Sequence, residues 1–367
     1  MANTHRRCAY VGLRRDGVLE KLGRLVQIRY AIAGSPVSHS LSPLLVEITA
    51  AHLRMANLDI EFNEYSLLDC SDVTVPMAWA LTEKSRSHPS IASRLFGNPT
   101  HPQNHGRLQS AVNDVMTDVF AATPDLIPHG ETLFHHGEER LKRRRGQSEA
   151  WISLTSPLKH QLNMRSGINY TDDGLHNGSV NQLRWDGSNW HCVSTDGEGL
   201  VAVARHFGFD FSLDGVDAPL LCMNGGGGAA RSSAAAWARA GGKIWSLGGR
   251  RSLDNRGPWV DALIEPESVI DYTGSRLHID FDLDPSAPST DSPFGADIYL
   301  SATYDSMDGG MVIEPIETGM RLDGRWLLVA QHLDAWARLY SPEAAHLLPG
   351  LGLSMSRLLA VETALRM

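Results

Sequence analysis

Lys159 stands near the end of ISLTSPLKHQ, residues 152–161, where a short apolar run over 151–154 is stopped by Pro157 and followed by a helical pattern. A lysine at such a strand-to-helix corner is either a solvated surface charge or a group able to hold a proton at a reacting oxygen. The stretch is taken together with STDGEGL, residues 194–200, which closes a β-prone run and opens a helical one. Each polar residue in these stretches, taken singly, suits a turn or a helix cap.

A second chemistry-bearing stretch is Gly225, Gly226, Gly227 and Gly228. The buried strand pattern PLLCM precedes it, the strong helix former AARSSAAAWARA follows up to Gly241 and Gly242, and KIWSL then reads as a second strand. Strand, glycine turn, helix and strand form a dinucleotide-binding pattern: glycines let the backbone approach a pyrophosphate, and the helix N-terminus favours its charge. The alternative, a flexible linker, fits poorly between an unbroken strand and helix. An NAD site would offer a carboxylate at the end of the second strand; here Arg250 and Arg251 follow Gly248 and Gly249, and guanidinium groups suit the 2′-phosphate of NADP unless they face solvent.

A chain of 367 residues is long enough for two domains. Its formal net charge of −9 argues against a general nucleic-acid binder, whereas a local patch suffices for a small anion. Cys8, Cys70, Cys192 and Cys222 have neither metal nor disulfide spacing, so reduced thiols and a cytoplasmic location are expected. There is no membrane-spanning apolar run and no signal-peptide pattern. His129, His135 and His136 lie near Glu131, Glu138 and Glu139, but without His-Glu-x-x-His spacing, so no metal is expected. The basic run 140–145 suits a solvated helix end.

The elements that must position these residues follow in order. The basic segment 1–28 is an N-terminal extension. A strand is expected over 29–34, a helix over 43–56 with Leu44, Leu45, Ile48, Ala51 and Leu53 mainly on one face, and a strand over 60–67. Residues of about 70–150 form an insertion rich in Pro, Asn, His and Ser, with helical patches near 73–84 and 108–122. A strand pair is expected around 181–193 and a connecting helix over 197–207. Residues 253–295 are loop-rich. ADIYLSAT, 296–303, is a buried strand, and helices span 326–340 and 351–366.

Four ordered stretches carry a resemblance: Gly34-x-Pro36-x-x-His39-Ser40-x-Ser42-Pro43, Thr155-x-Pro157-x-Lys159, Gly178-x-Val180-Asn181 and Thr195-Asp196-Gly197. Together they resemble the shikimate dehydrogenase family, and Gly225, Gly227, Gly228 and Ala229 match its Gly-x-Gly-Gly-Ala turn, with Arg231 where the family often has a basic residue. The resemblance implies an α/β protein of two domains. An N-terminal α/β substrate domain would span 29–198, a Rossmann-type NADP-binding domain 199–325, and helices in 326–367 would return to the substrate domain. It implies reversible hydride transfer between NADPH and 3-dehydroshikimate, a step of aromatic amino acid and chorismate biosynthesis, by a monomer or homodimer. Lys159 would donate the proton or stabilise the alkoxide, and Asp196 would accept from a substrate hydroxyl and orient the lysine. Ser40 and Ser42 would hold the ring carboxylate, Thr155, Asn181 and Gln331 the ring hydroxyls, and Thr303 would end the strand near the nicotinamide. Two departures stand out. Residues 304–325 lack the family's Asp-x-x-Tyr, which removes a substrate-facing tyrosine, and Trp326 would crowd the nicotinamide position. Quinate or aminoshikimate relatives, and a non-catalytic nucleotide- or shikimate-binding relative, are the alternative readings.

Overall fold

The structure, a computed structural model, describes residues 27–38, 40–58, 60–82, 112–118, 148–282, 295–304 and 312–366. His39, the histidine and arginine clusters of residues 129–145 and the basic segment 1–26 lie outside the described residues.

The first half of the chain builds a six-stranded mixed sheet. Strand β1 (Gln27–Gly34) pairs in parallel with β2 (Glu61–Asp69) on one side and with β3 (Glu149–Leu154) on the other. Strands β1 and β3 are buried nearly throughout, as strands covered on both faces are. The sheet continues through β5 (Gln182–Trp185), antiparallel to β3, then β6 (Trp190–Val193) and the short β4 (Asn169–Tyr170). Helix α1 (Ser42–Met55) connects β1 to β2, and α2 (Thr74–Leu81) follows β2. After β3 the chain makes a single 3-10 turn, Leu158–His160, in place of the longer helix that the sequence pattern suggests. A short α3 (Gly174–Asn177) precedes Gly178, whose φ of +57° closes the helix in the left-handed region.

Helix α4 (Asp196–His206) leads into the second sheet. Here β7 (Leu220–Asn224) is flanked by β8 (Lys243–Gly248) and β9 (Arg276–Asp280), followed by β10 (Ile298–Ser301), β12 (Gly319–Leu322) and β11 (Ile313–Ile316). All the pairings are parallel except that of β11 with β12. Helix α5 (Gly228–Ala240) runs from β7 to β8 and ends on Gly241 at φ +104°. The chain then crosses β7 to reach β9, so the crevice between β7 and β9, at their carboxyl ends, is the topological switch point where open α/β sheets bind ligands. β9 and the β11–β12 hairpin fall in stretches that the sequence pattern leaves without elements.

Helix α6 (Arg325–Ala335) continues as a π-helical turn, Trp336–Tyr340, and α7 (Leu351–Arg366) ends the fold. This return is anchored in the first domain. Trp151 of β3 stacks on Tyr340 at 4.6 Å and meets Trp336 edge-on at 5.0 Å. Beneath the rings, Arg184 donates to both Glu149 oxygens at 2.9 and 3.0 Å and to the Leu339 carbonyl at 2.7 Å. Both charges of that pair are buried, and the hydrogen bonds that share them offset the cost of desolvation.

Candidate active site

The carboxyl ends of β1 and β3 approach each other closely. Gly34, at φ +145°, leaves no room for a side chain: a Cβ there would lie 2.3 Å from Thr155 Cγ2 and 2.7 Å from the Ser156 carbonyl. This contact fixes the corner that carries Lys159. Its ammonium donates to both oxygens of Asp196, at 2.9 Å and 2.7 Å. Asp196, the first residue of α4, is 1% exposed, whereas the Lys159 side chain keeps 21% of its surface open. Asn181 locks the carboxylate from the other side, its Nδ2 donating to Asp196 Oδ1 at 3.0 Å and to Thr195 Oγ1 at 2.9 Å, while its Oδ1 accepts from the Thr195 amide at 2.8 Å. One step back, Arg338 of the π-helical turn donates to the Ser194 carbonyl and to Asp172 at 2.8 Å each, fixing the approach to α4.

Lys159 opens into a cleft of about 930 Å³ including its mouth, which gathers Ser40, Ser42, Thr155, Asn181, Asp196, Ala229, Thr303 and Gln331 on its walls. Ser40 and Ser42 sit at the start of α1, where the Ser42 amide donates to Ser40 Oγ at 3.3 Å. Below them runs a chain of buried polar groups that the sequence pattern does not single out. Tyr30 and Ser153 hydroxyls are 2.6 Å apart, and Ser153 and Tyr340 both donate to Gln182 Oε1, at 2.8 and 2.7 Å. Burial pushes the Tyr30 hydroxyl well above its ordinary pKa, so it stays protonated.

Both departures noted in the sequence resolve differently in three dimensions. A tyrosine does line the cleft: Tyr304, directly after β10, accepts from the Leu41 amide at 3.2 Å and hydrogen-bonds Ser40. Its hydroxyl reaches from the segment after β10 to the residues that open α1, and no linear motif signals it. Trp326 turns away from the cleft. Its indole N–H donates to the Val312 carbonyl at 3.0 Å and its ring packs on Phe207 at 5.0 Å and His206 at 5.4 Å. Gly324, just before α6, is the close approach instead, since a Cβ there would meet the Thr303 carbonyl at 2.4 Å.

The glycine turn after β7 lies directly across the junction. A Cβ on Gly228 would come within 3.3 Å of Lys159 Cβ and 3.2 Å of the Gly178 carbonyl, while one on Gly226 would strike the Ser252 carbonyl at 2.1 Å. Gly227 has open space on its Cβ side. Gly225, at φ +101°, donates its amide to the Gly248 carbonyl at 2.7 Å. Open backbone at the first turn of a thirteen-residue helix is a cradle for a pyrophosphate. Arg231 reaches across to the Gly178 carbonyl at 3.1 Å. Arg250 and Arg251 are exposed beyond β8; the Arg250 amide donates to Asp282 at 2.6 Å, and its guanidinium lies 3.8 Å from the same carboxylate. Among the described residues no cluster of His, Cys, Asp and Glu could hold a metal ion, and no helix is long and apolar enough to cross a membrane.

No protein-family model and no curated protein matches the chain. Solved structures do. The shikimate 5-dehydrogenase of Thermus thermophilus, in complex with NADP(H) and shikimate, is similar at 17% identity and a TM-score of 0.47, over 92% of this chain and 98% of that one. Shikimate dehydrogenase from Aquifex aeolicus gives 15% and 0.44, over 86% and 93%. A chorismate mutase/shikimate 5-dehydrogenase fusion protein from Clostridium acetobutylicum gives 12% and 0.47, over 93% and 99%.

Proposed function

We propose that this protein is an NADP-dependent shikimate dehydrogenase, which interconverts 3-dehydroshikimate and shikimate. The observation that carries the reading is the Lys159–Asp196 pair. A lysine ammonium held on both oxygens of a buried carboxylate opens into a cleft that the glycine turn borders.

The residues of the second domain fit the cofactor. Gly227 and the start of α5 would hold the pyrophosphate, Arg250 and Arg251 the 2′-phosphate, and the end of β10 at Thr303 would border the nicotinamide. When bound, the cofactor supplies or accepts the hydride. The rest of the chemistry belongs to the chain. Lys159 holds a proton at the ring oxygen that changes between carbonyl and hydroxyl, neutralising the charge that develops there. Asp196 orients the ammonium and accepts from a ring hydroxyl, and Asn181 prevents the carboxylate from rotating. Ser40, Ser42 and the N-terminus of α1 favour the ring carboxylate, while Thr155 and Gln331 border the hydroxyl-bearing side.

The test is an initial-rate assay with shikimate and NADP⁺, with NAD⁺ and quinate as parallel controls, on the wild type and Lys159→Ala. Turnover with shikimate and NADP⁺ that collapses in the variant is the expected result. A folded wild type inactive with every pair would overturn the reading.

A further inference from the structure

The cleft wall contains a buried histidine that the proposed chemistry leaves unused. Leu327, Leu328, Gln331 and His332 of α6 all line it, and the four-residue spacing sets His332 over Leu328 and Gln331 over Leu327. His332 is 2% exposed, yet neither Nδ1 nor Nε2 has a hydrogen-bond partner among the described residues. The surrounding polar groups behave differently. Tyr30, Ser153, Gln182 and Tyr340 hydrogen-bond one another, and Asn181 is spent on Thr195 and Asp196. A buried polar ring with two idle nitrogens is costly to keep, and calls for an explanation in the ligand-bound state.

We propose that His332 hydrogen-bonds a ring hydroxyl of the bound acid, and so makes the substrate a polyhydroxylated ring acid with a hydroxyl directed at α6. This rests on the ring-acid reading above. The chemistry of the imidazole selects the group. Burial drives its pKa down to about 3, so it is neutral and offers one N–H donor and one lone-pair acceptor. A hydroxyl both donates and accepts and can satisfy either nitrogen, whereas a carboxylate or an ammonium is served only by one. A half-turn of the ring about χ2 exchanges nitrogen and carbon positions without changing its shape, and no hydrogen bond among the described residues fixes which of the two orientations His332 takes.

The experiment is a calorimetric titration of the wild type, His332→Phe and His332→Asn with shikimate and, separately, with quinate, which carries one more ring hydroxyl. Thermal midpoints are recorded without ligand. His332→Phe should weaken at least one acid by about tenfold or more, and His332→Asn, which keeps a donor and an acceptor, should recover most of it. A loss confined to quinate assigns the additional hydroxyl, and a loss shared by both acids assigns a common one. The thermal midpoint of His332→Phe should not fall, because two unpaired polar atoms are removed. Unchanged affinity for both acids would overturn the proposal and leave His332 a packing residue. If His332→Phe does not fold, His332→Leu carries the same comparison. Failure of the wild type to bind either acid would overturn the functional reading, and this one with it.

Discussion

The two sides of the cleft are built on opposite plans. On the side of the lysine corner, Lys159, Asp196, Asn181 and Thr195 are tied together by five hydrogen bonds of 3.0 Å or less, and Asp196 is sealed from solvent. On the side of the glycine turn the cradle is backbone, and Arg250 is 83% exposed and lies only within 3.8 Å of Asp282. A pair that exposed contributes little to stability, about 1 kcal/mol at most. Geometry is thus fixed in advance where the proposed reaction places a proton, because misplacing a proton donor is costly in rate. Where the proposed reaction only grips a phosphate, long flexible cations suffice.

That contrast can be broken most forcefully at Lys159. Lys159→Ala should lower turnover by roughly 10³-fold or more, and should also destabilise the fold by about 3 kcal/mol, since Asp196 is left buried without its cation. Steady-state rates and a denaturation curve check both halves; unchanged turnover would sink the assignment. Removing the nucleotide-side charges should act differently. Arg250→Ala with Arg251→Ala should raise the KM for NADP⁺ by about ten- to a hundredfold while leaving that for NAD⁺ and the melting temperature nearly unmoved. A loss shared equally by both cofactors would place the arginines elsewhere.

Acid sharpens the comparison from the substrate side. His52 on α1 and His332 on α6 have pKa values lowered by burial to about 4 and about 3. A lowered histidine pKa means that the unfolded chain binds more protons below about pH 6.5, so the stability present at neutral pH is lost as pH falls. Asp334, raised by burial to about 6, works in the opposite sense between its ordinary value and 6, but it is one group against two. The melting temperature should therefore drop from pH 7 to pH 5, and His332→Phe should flatten that slope. The smallest effect is expected at the junction. Gly228→Ala puts a methyl 3.3 Å from Lys159 Cβ, and should cost a few-fold in turnover without unfolding the protein, read as kcat against melting temperature.

Much of the site was legible in the sequence, and the exceptions have a common cause. Lys159, Asp196, Asn181 and the glycine turn sit next to strand or helix ends that local pattern reveals, and the structure brings them to one junction. The central strand β9 was not legible because RLHID carries charges at both ends and a histidine in the middle; it is a strand because β7 and β10 pair with it on both edges. Tyr304 is not singled out by the sequence, and Trp326 lies away from the cleft rather than crowding it, because the surroundings of both depend on how the end of β10 and the start of α6 meet distant elements. Arg231 carries the same lesson, since its guanidinium spans to Gly178 of the other domain. Contacts between segments far apart in the chain leave no local signature.

Helix α4 has a consequence for motion. It carries no side chain at Gly197, where a Cβ would sit 2.0 Å from the Ser232 carbonyl of α5, nor at Gly199, where one would sit 3.0 Å from the Gln331 amide of α6. The helix is therefore clasped on both flanks by backbone, like an axle in its bearings. Any rocking of one domain on the other that keeps these contacts must turn about it. Asp196 is the first residue on that axle, so the carboxylate that steers Lys159 would move least while the walls around it open and shut.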